Sequence, residues 1–164
     1  PHIKAVSPNG SVVVIWDRYD VSAYSVSTGE RIWAHPVRGT DRVFAQVSED
    51  GKQVLLALSG AGPTLVQTVD LATGTVLAER QEPFFLDLYD VRHGQAVYSS
   101  AVESGRRIVR VVQLDDLSVV RDIDTEIGGG ASAAGARITS EGIATLTDFN
   151  AVYRWDLSSS WEPF

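Results

Sequence analysis

The chain has 164 residues, 44% of them hydrophobic, with 14 basic and 21 acidic side chains for a formal net charge of −7. That length holds one domain with a substantial core, and this hydrophobic content excludes wholesale disorder. The acidic balance argues against nonspecific binding of nucleic acid or anionic lipid, so neither is an expected partner.

Strands of the first unit are predicted at about 2–6, 11–16, 21–26 and 31–35. Those of the second fall at about 42–47, 53–58, 64–70 and 75–80, and those of the third at about 85–90, 95–101, 107–114 and 118–123. A fourth unit follows at about 134–139, 142–147 and 151–156, with a last short strand at 160–162. These runs are rich in Val, Ile, Leu, Tyr and Thr, which suit pleated, half-buried positions. Val12-Val13-Val14-Ile15-Trp16 and Val54-Leu55-Leu56-Ala57-Leu58 are apolar throughout, as expected of strands covered on both faces.

Two landmarks recur in phase. The first is a polar turn closed by glycine: Ser7-Pro8-Asn9-Gly10, Ser48-Glu49-Asp50-Gly51, Val91-Arg92-His93-Gly94 and Thr139-Ser140-Glu141-Gly142. Its glycines Gly10, Gly51, Gly94 and Gly142 stand 41, 43 and 48 residues apart. Asn-Gly and Asp-Gly between apolar runs are the strongest short-range hairpin signal, because positive φ is cheap for glycine. Ser7, Ser48 and Ser140 sit where a hydroxyl bonds local backbone. The second landmark is a turn before the outer strand: Ser27-Thr28-Gly29, Asp70-Leu71-Ala72-Thr73-Gly74, Leu114-Asp115-Asp116-Leu117, and Trp155-Asp156-Leu157-Ser158-Ser159. Gly128–Gly130 and the small residues through Gly135 read as a connector that lengthens the last step.

A unit of about 40 residues in four antiparallel strands cannot bury both of its faces alone, and stacking on the next copy solves that problem. The expected fold is therefore all-β: a β-propeller of four four-stranded blades, with approximate units 1–38, 39–82, 83–127 and 128–164. A β-sandwich or barrel is the rival architecture. The segment Val21–Trp33, with Thr28-Gly29 before Trp33, resembles the repeat of the PQQ-like (quinoprotein) propellers. Val66–Ala78 is similar to it, with Leu77 read in place of the tryptophan. Val152-Tyr153-Arg154-Trp155-Asp156-Leu157 is similar to the third strand of WD40 blades, where Trp-Asp ends the strand, and Asp17 and Asp148 occupy plausible turn positions. No unit has the Gly-His pair of WD40 repeats, and nothing maps onto the quinoprotein cofactor site, so no cofactor is expected.

The chain starts near an inner first strand and stops near an outer fourth one, without an evident interlocking clasp. Either four blades close by packing alone, or they form half of a ring completed by a second copy or by further sequence.

Candidate chemistry is sparse. There is no cysteine, which removes disulfides, thiol chemistry and thiolate metal sites. His2, His35 and His93 fall at three different places of the repeat, so no histidine metal cluster is expected. Asp87, Asp90 and His93 come nearest to a constellation, but along a regular strand Asp87 and Asp90 point to opposite faces. Asp115, Asp116, Asp122, Asp124 and Glu126 form an acidic stretch without the spacing of a calcium loop. Arg106, Arg107 and Arg110 read as a solvated basic rim, and Trp16 and Trp155 as blade-packing residues, with Trp33 covering an outer-strand contact. The apolar ending Trp161, Pro163 and Phe164 is the expected interface, docking on a neighbouring blade or subunit.

No run approaches the length of a membrane-spanning helix, and the start Pro1-His2-Ile3-Lys4 is neither a signal peptide nor an initiator methionine. These features predict a soluble chain, with a cytoplasmic location favoured, that is a processed product or an excised piece of a longer protein. The leading functional expectation is a noncatalytic interaction or scaffold module whose blade-end loops bind a protein or peptide, with a homodimer or a missing propeller segment as a further partner. The alternative is the propeller portion of a PQQ-like oxidoreductase or ligand sensor whose active site needs other blades or another domain.

Overall fold

The computed structural model describes residues 1–83, 85–101, 107–124, 135–139, 143–147 and 152–156. Among them every regular element is a strand, and no helix is long and apolar enough to cross a membrane. The first sheet runs in order through β1 (His2–Val6), β2 (Val12–Trp16), β3 (Asp20–Ser25) and β4 (Arg31–Pro36). The second holds β5 (Thr40–Val47), β6 (Gln53–Gly60), β7 (Thr64–Asp70) and β8 (Val76–Glu82). The third holds β9 (Phe85–Arg92), β10 (Gln95–Ala101), β11 (Arg107–Gln113) and β12 (Val119–Asp124). A last sheet of β13 (Gly135–Ile138), β14 (Ile143–Thr147) and β15 (Val152–Asp156) has three strands among the described residues. The expected fourth strand at 160–162, the connector glycines 128–130 and the ending Trp161, Pro163 and Phe164 lie outside the described residues.

Every pairing is between chain neighbours and antiparallel, so each sheet is a meander and its turns alternate between two ends. The first strands of successive sheets contact one another, β1 with β5, β5 with β9 and β9 with β13, which sets them along the axis of a propeller. Its core lies between blades, in layers. Val14, Val21, Ala23 and Trp33 of the first blade meet Val43, Val47, Val54, Leu56, Val69 and Leu71 of the second. Leu55, Ala57 and Val66 turn the other way, onto Val91, Ala96, Tyr98, Val112, Leu114 and Leu117. Val97, Val109, Val111 and Ile123 then meet Ala136 and Ile138. The unbroken apolar run of β6 thus serves two layers at once, Val54 and Leu56 on one side and Leu55 and Ala57 on the other. In β2 only Val14 is fully buried, since among the described residues a neighbouring blade packs on one face of that strand.

The two landmarks form as local hydrogen-bond circuits. Ser7 Oγ accepts from Val12 N at 2.9 Å and donates to Asn9 Oδ1 at 2.8 Å. Ser48 Oγ repeats this with Gln53 N at 3.0 Å and Asp50 Oδ1 at 2.7 Å. The third blade replaces the circuit by a two-residue turn, with His93 at φ 50° and Gly94 at φ 70°, both left-handed as a type I′ hairpin requires. At the outer turn Gly29 N, Gly74 N and Leu117 N bond Ser25 O, Asp70 O and Gln113 O in the same way. Leu117 holds φ 56° where its counterparts are glycines, and its side chain is buried beside Leu114.

Three expectations are corrected. Ala78, not Leu77, occupies the position of Trp33: Trp33 lies opposite Ala23 and Ala78 opposite Thr68, four residues after Gly29 and Gly74 respectively. Leu77 is on the other face of that strand and 46% exposed. Arg110 is no solvated rim residue, because its side chain is only 12% exposed and is paired with two carboxylates. Finally, Asp87 and Asp90 do not keep regular-strand parity. A bulge at Tyr89 sets them opposite Ser99 and Val97, two partner residues apart.

Candidate functional site

At the end of the blades that carries the first-landmark turns, a groove opens between the second and third blades. It has a volume of about 510 Å³ and is lined by the β5–β6 turn (Ser48, Glu49, Asp50, Lys52 and Gln53), the β9–β10 turn (Val91 to Gly94), and Leu114 and Asp115 of the β11–β12 turn. Val91 and Leu114 are buried and give it an apolar floor. Its walls are polar, with Glu49, Asp50 and Asp115 set against Lys52 and Arg92.

The walls are tied to the scaffold. Asp50 accepts from Ser48 Oγ and from Lys52 N, and these bonds hold its carboxyl below the usual carboxylate range. Gln53 Nε2 donates to Asp115 Oδ1 at 3.0 Å, linking the turns of two blades, and His93 Nδ1 stands 3.4 Å from Glu49 Oε2. Leu114 N donates to Gly94 O at 2.8 Å, which fixes the third-blade turns to each other. The groove therefore presents oriented acceptors and exposed cations over an apolar floor.

A second hollow, about 370 Å³, lies along the axis between Lys4 and Trp16 of the first blade, residues 41–46 of β5, and Leu88 of β9. Lys4 Nζ sits 4.8 Å from the Trp16 ring and the Arg42 guanidinium 5.6 Å from the Phe44 ring, so both cations lie on aromatic faces.

The most polar buried cluster joins blades. Glu82, fully buried at the end of β8, accepts from Tyr98 Oη at 2.8 Å, Ser100 Oγ at 3.2 Å, Arg80 Nε at 2.6 Å and Arg110 Nη1 at 2.7 Å. Arg110 also grips Asp122 through Nε and Nη2, both at 2.7 Å. Burial pushes the Glu82 carboxyl up, but the bonds from Arg110, Tyr98 and Arg80 outweigh it and leave it below its ordinary value. Burial, then the Glu82 charge, pushes the Tyr98 phenol up, so it stays a donor. The bonds with Asp122 and Glu82 hold Arg110 charged. With every oxygen engaged, this cluster is a clamp between blades rather than a reactive centre.

Sequence-flagged residues are dispersed by the fold. Asp90 is buried and accepts from Ile138 N at 3.0 Å, Val91 N at 3.1 Å and Gln46 Nε2 at 3.5 Å, fastening three inner strands. Asp87 is exposed and bonds Leu88 N, while His93 faces the groove. Of the acidic stretch, Asp115 bonds Gln53, Asp116 bonds Ser118 N and Asp122 bonds Arg110. Among the described residues no group of His, Asp or Glu is arranged to hold a metal ion. Lys52 was not singled out from sequence and Arg92 entered only as a member of its turn, although the turns that carry them are the repeat's own landmarks.

No family model matches the chain, and no curated protein matches it. Solved structures do. The WD40 repeats of RRP9 superpose with a TM-score of 0.67 at 17% identity, over 93% of this chain and 47% of that one. Hydrazine synthase of Kuenenia stuttgartiensis gives 0.64 at 14% identity, over 93% and 51%. The WD40 domain of SCAP from fission yeast gives 0.59 at 14% identity, over 94% and 39%. The fold is that of a β-propeller, as in these WD40 repeat structures, and the chain spans about half or less of the length of these structures.

Proposed function

We propose that the chain is one propeller domain, of units 1–38, 39–82, 83–127 and 128–164, that acts as a noncatalytic interaction module. It binds a protein segment or peptide in the groove between the second and third blades. The observation that carries this reading is the groove itself: an apolar floor of Val91 and Leu114 under walls of hydrogen-bonding turns that are locked to the sheets. An extended peptide offers both apolar side chains for such a floor and backbone groups for such walls. Three acids beside two cations make the groove a poor fit for a polyanion. Loops on a rigid sheet framework lose little entropy on binding, which favours recognition there.

The test is selection of peptides from a displayed random library on the immobilised chain. Selected peptides are expected to lose affinity about tenfold or more on Lys52→Glu or Arg92→Glu, and to keep it on Tyr19→Ala at the opposite end of the first blade. Peptides indifferent to both groove substitutions, or no enrichment at all, would overturn the assignment.

A further inference from the structure

The hollow on the axis is walled by three consecutive blades that already touch, β1 with β5 and β5 with β9. Trp16 packs on the apolar layer between the first and second blades, beside Ala5 and Ala45, so this wall belongs to a covered face. Irregular backbone places the charges. Lys4 stands at the bulge between Ile3 and Ala5, and its Nζ rests 4.8 Å from the centre of the Trp16 ring. A second bulge, between Thr40 and Arg42, precedes the Arg42 guanidinium, which lies 5.6 Å from the Phe44 ring. Bulges re-aim side chains, and these two bring two cations into one hollow of about 370 Å³.

Both cations keep their donors. Neither Lys4 nor Arg42 forms a hydrogen bond or an ion pair among the described residues, and each is held by an aromatic face. A ring face attracts a cation without consuming its N–H groups, so the ammonium and the guanidinium remain open to an acceptor. Asp41 is the one acid on these walls and pairs with neither, which leaves the lining residues a net charge of +1. A further donor, Trp16 Nε1, is shut from solvent without an acceptor, whereas Trp33 Nε1 has Leu71 O at 2.9 Å. A buried indole N–H ordinarily finds a partner. Val43, Phe44 and Leu88 add apolar wall.

We propose that the axial hollow binds a small monocarboxylate with an apolar body, its carboxylate held by Lys4 and Arg42. The volume is that of a small-molecule site. One negative charge matches the net charge of the walls, and further charge would stand uncompensated beside Asp41. The guanidinium fork fits the two oxygens of a carboxylate. Apolar wall favours a ligand with hydrocarbon to bury, which inorganic phosphate lacks. The hollow shares no residue with the groove between the second and third blades, so this site stands apart from the peptide reading.

The test is a titration of the isotope-labelled 164-residue chain, followed through its indole N–H resonances. Benzoate is the probe, benzamide its uncharged isostere, and inorganic phosphate the anion without an apolar body. Benzoate is expected to shift the Trp16 resonance, assigned by its loss in Trp16→Phe, along a saturable curve with a Kd of about 1 mM. The Trp33 resonance, whose N–H is bonded to Leu71 O, should stay in place. Lys4→Gln and Arg42→Gln are each expected to weaken benzoate about fivefold or more, and benzamide to bind about tenfold more weakly than benzoate. Neither side chain has a polar partner to lose, so both variants keep the fold, as unchanged circular dichroism spectra would verify. No saturable shift of Trp16 up to about 20 mM benzoate, or a curve indifferent to both substitutions, would overturn the site. Benzamide or phosphate binding as tightly as benzoate would overturn the assignment to a carboxylate on an apolar body.

Discussion

Trp33 shows how one side chain links two blades. Its Nε1 donates to Leu71 O at 2.9 Å, its ring is T-shaped to His35 at 5.2 Å, and His35 Nε2 lies 2.7 Å from Gly74 O. A carbonyl only accepts, so Nε2 of His35 carries the proton. Gly74 is required twice over, by its φ of 77° and because a Cβ there would stand 2.6 Å from Trp33 Cγ. Gly74→Ala is expected to destabilise the fold by about 1–3 kcal/mol and Trp33→Ala by about 3–5 kcal/mol, read from urea midpoints. Gly29, whose added Cβ meets open space, pays only the backbone term. The clamp at Glu82 gives a second test. Arg110→Met leaves a buried carboxylate short of its best partner, at a cost of about 3 kcal/mol, and adding Glu82→Gln should recover more than half of it.

The same clamp has a pH signature. Because the folded Glu82 carboxyl sits below its ordinary value of 4.5, its contribution is complete above that value and is lost as pH falls through the folded one. The melting-temperature gap between the wild type and Glu82→Gln should thus be widest near neutral pH and narrow under acid. A gap that stays constant down to about pH 3 would contradict this assignment.

At the scale of elements, the turns are self-contained. Ser48 is 6% exposed and its hydroxyl satisfies Gln53 N inside the hairpin, so Ser48→Ala is expected to cost about 1–2 kcal/mol, again from urea midpoints. Such circuits were legible in the sequence because donor and acceptor lie within five residues. The strands were legible for a related reason: observed ends fall within two residues of the expected ones in all fifteen. What composition hid was irregularity. Bulges between Ile3 and Ala5 and at Tyr89 shift side-chain parity without any glycine or proline to announce them. Leu117 takes a glycine's conformation because its burial offsets a strain of about 1–2 kcal/mol.

For the molecule as a whole, the strand order and the phase of the turns came from residues close together in the chain, and the sequence alone determined them. Hydrophobic alternation and turn chemistry act over a few residues, and they already required four units that cannot bury their own faces. Only the tertiary structure decided which residue of each unit faces which neighbour. Ala78 rather than Leu77 stands for Trp33, Arg110 is drawn inside by Glu82, and Asp90 reaches Ile138. These partners are separated by 28 to 48 residues, as Arg110 is from Glu82 and Ile138 from Asp90. The groove likewise needs turns from two blades, and the axial hollow needs strands from three. Local rules set the blades; the contacts between them, made across a repeat length of chain, set the surfaces that remain for a partner.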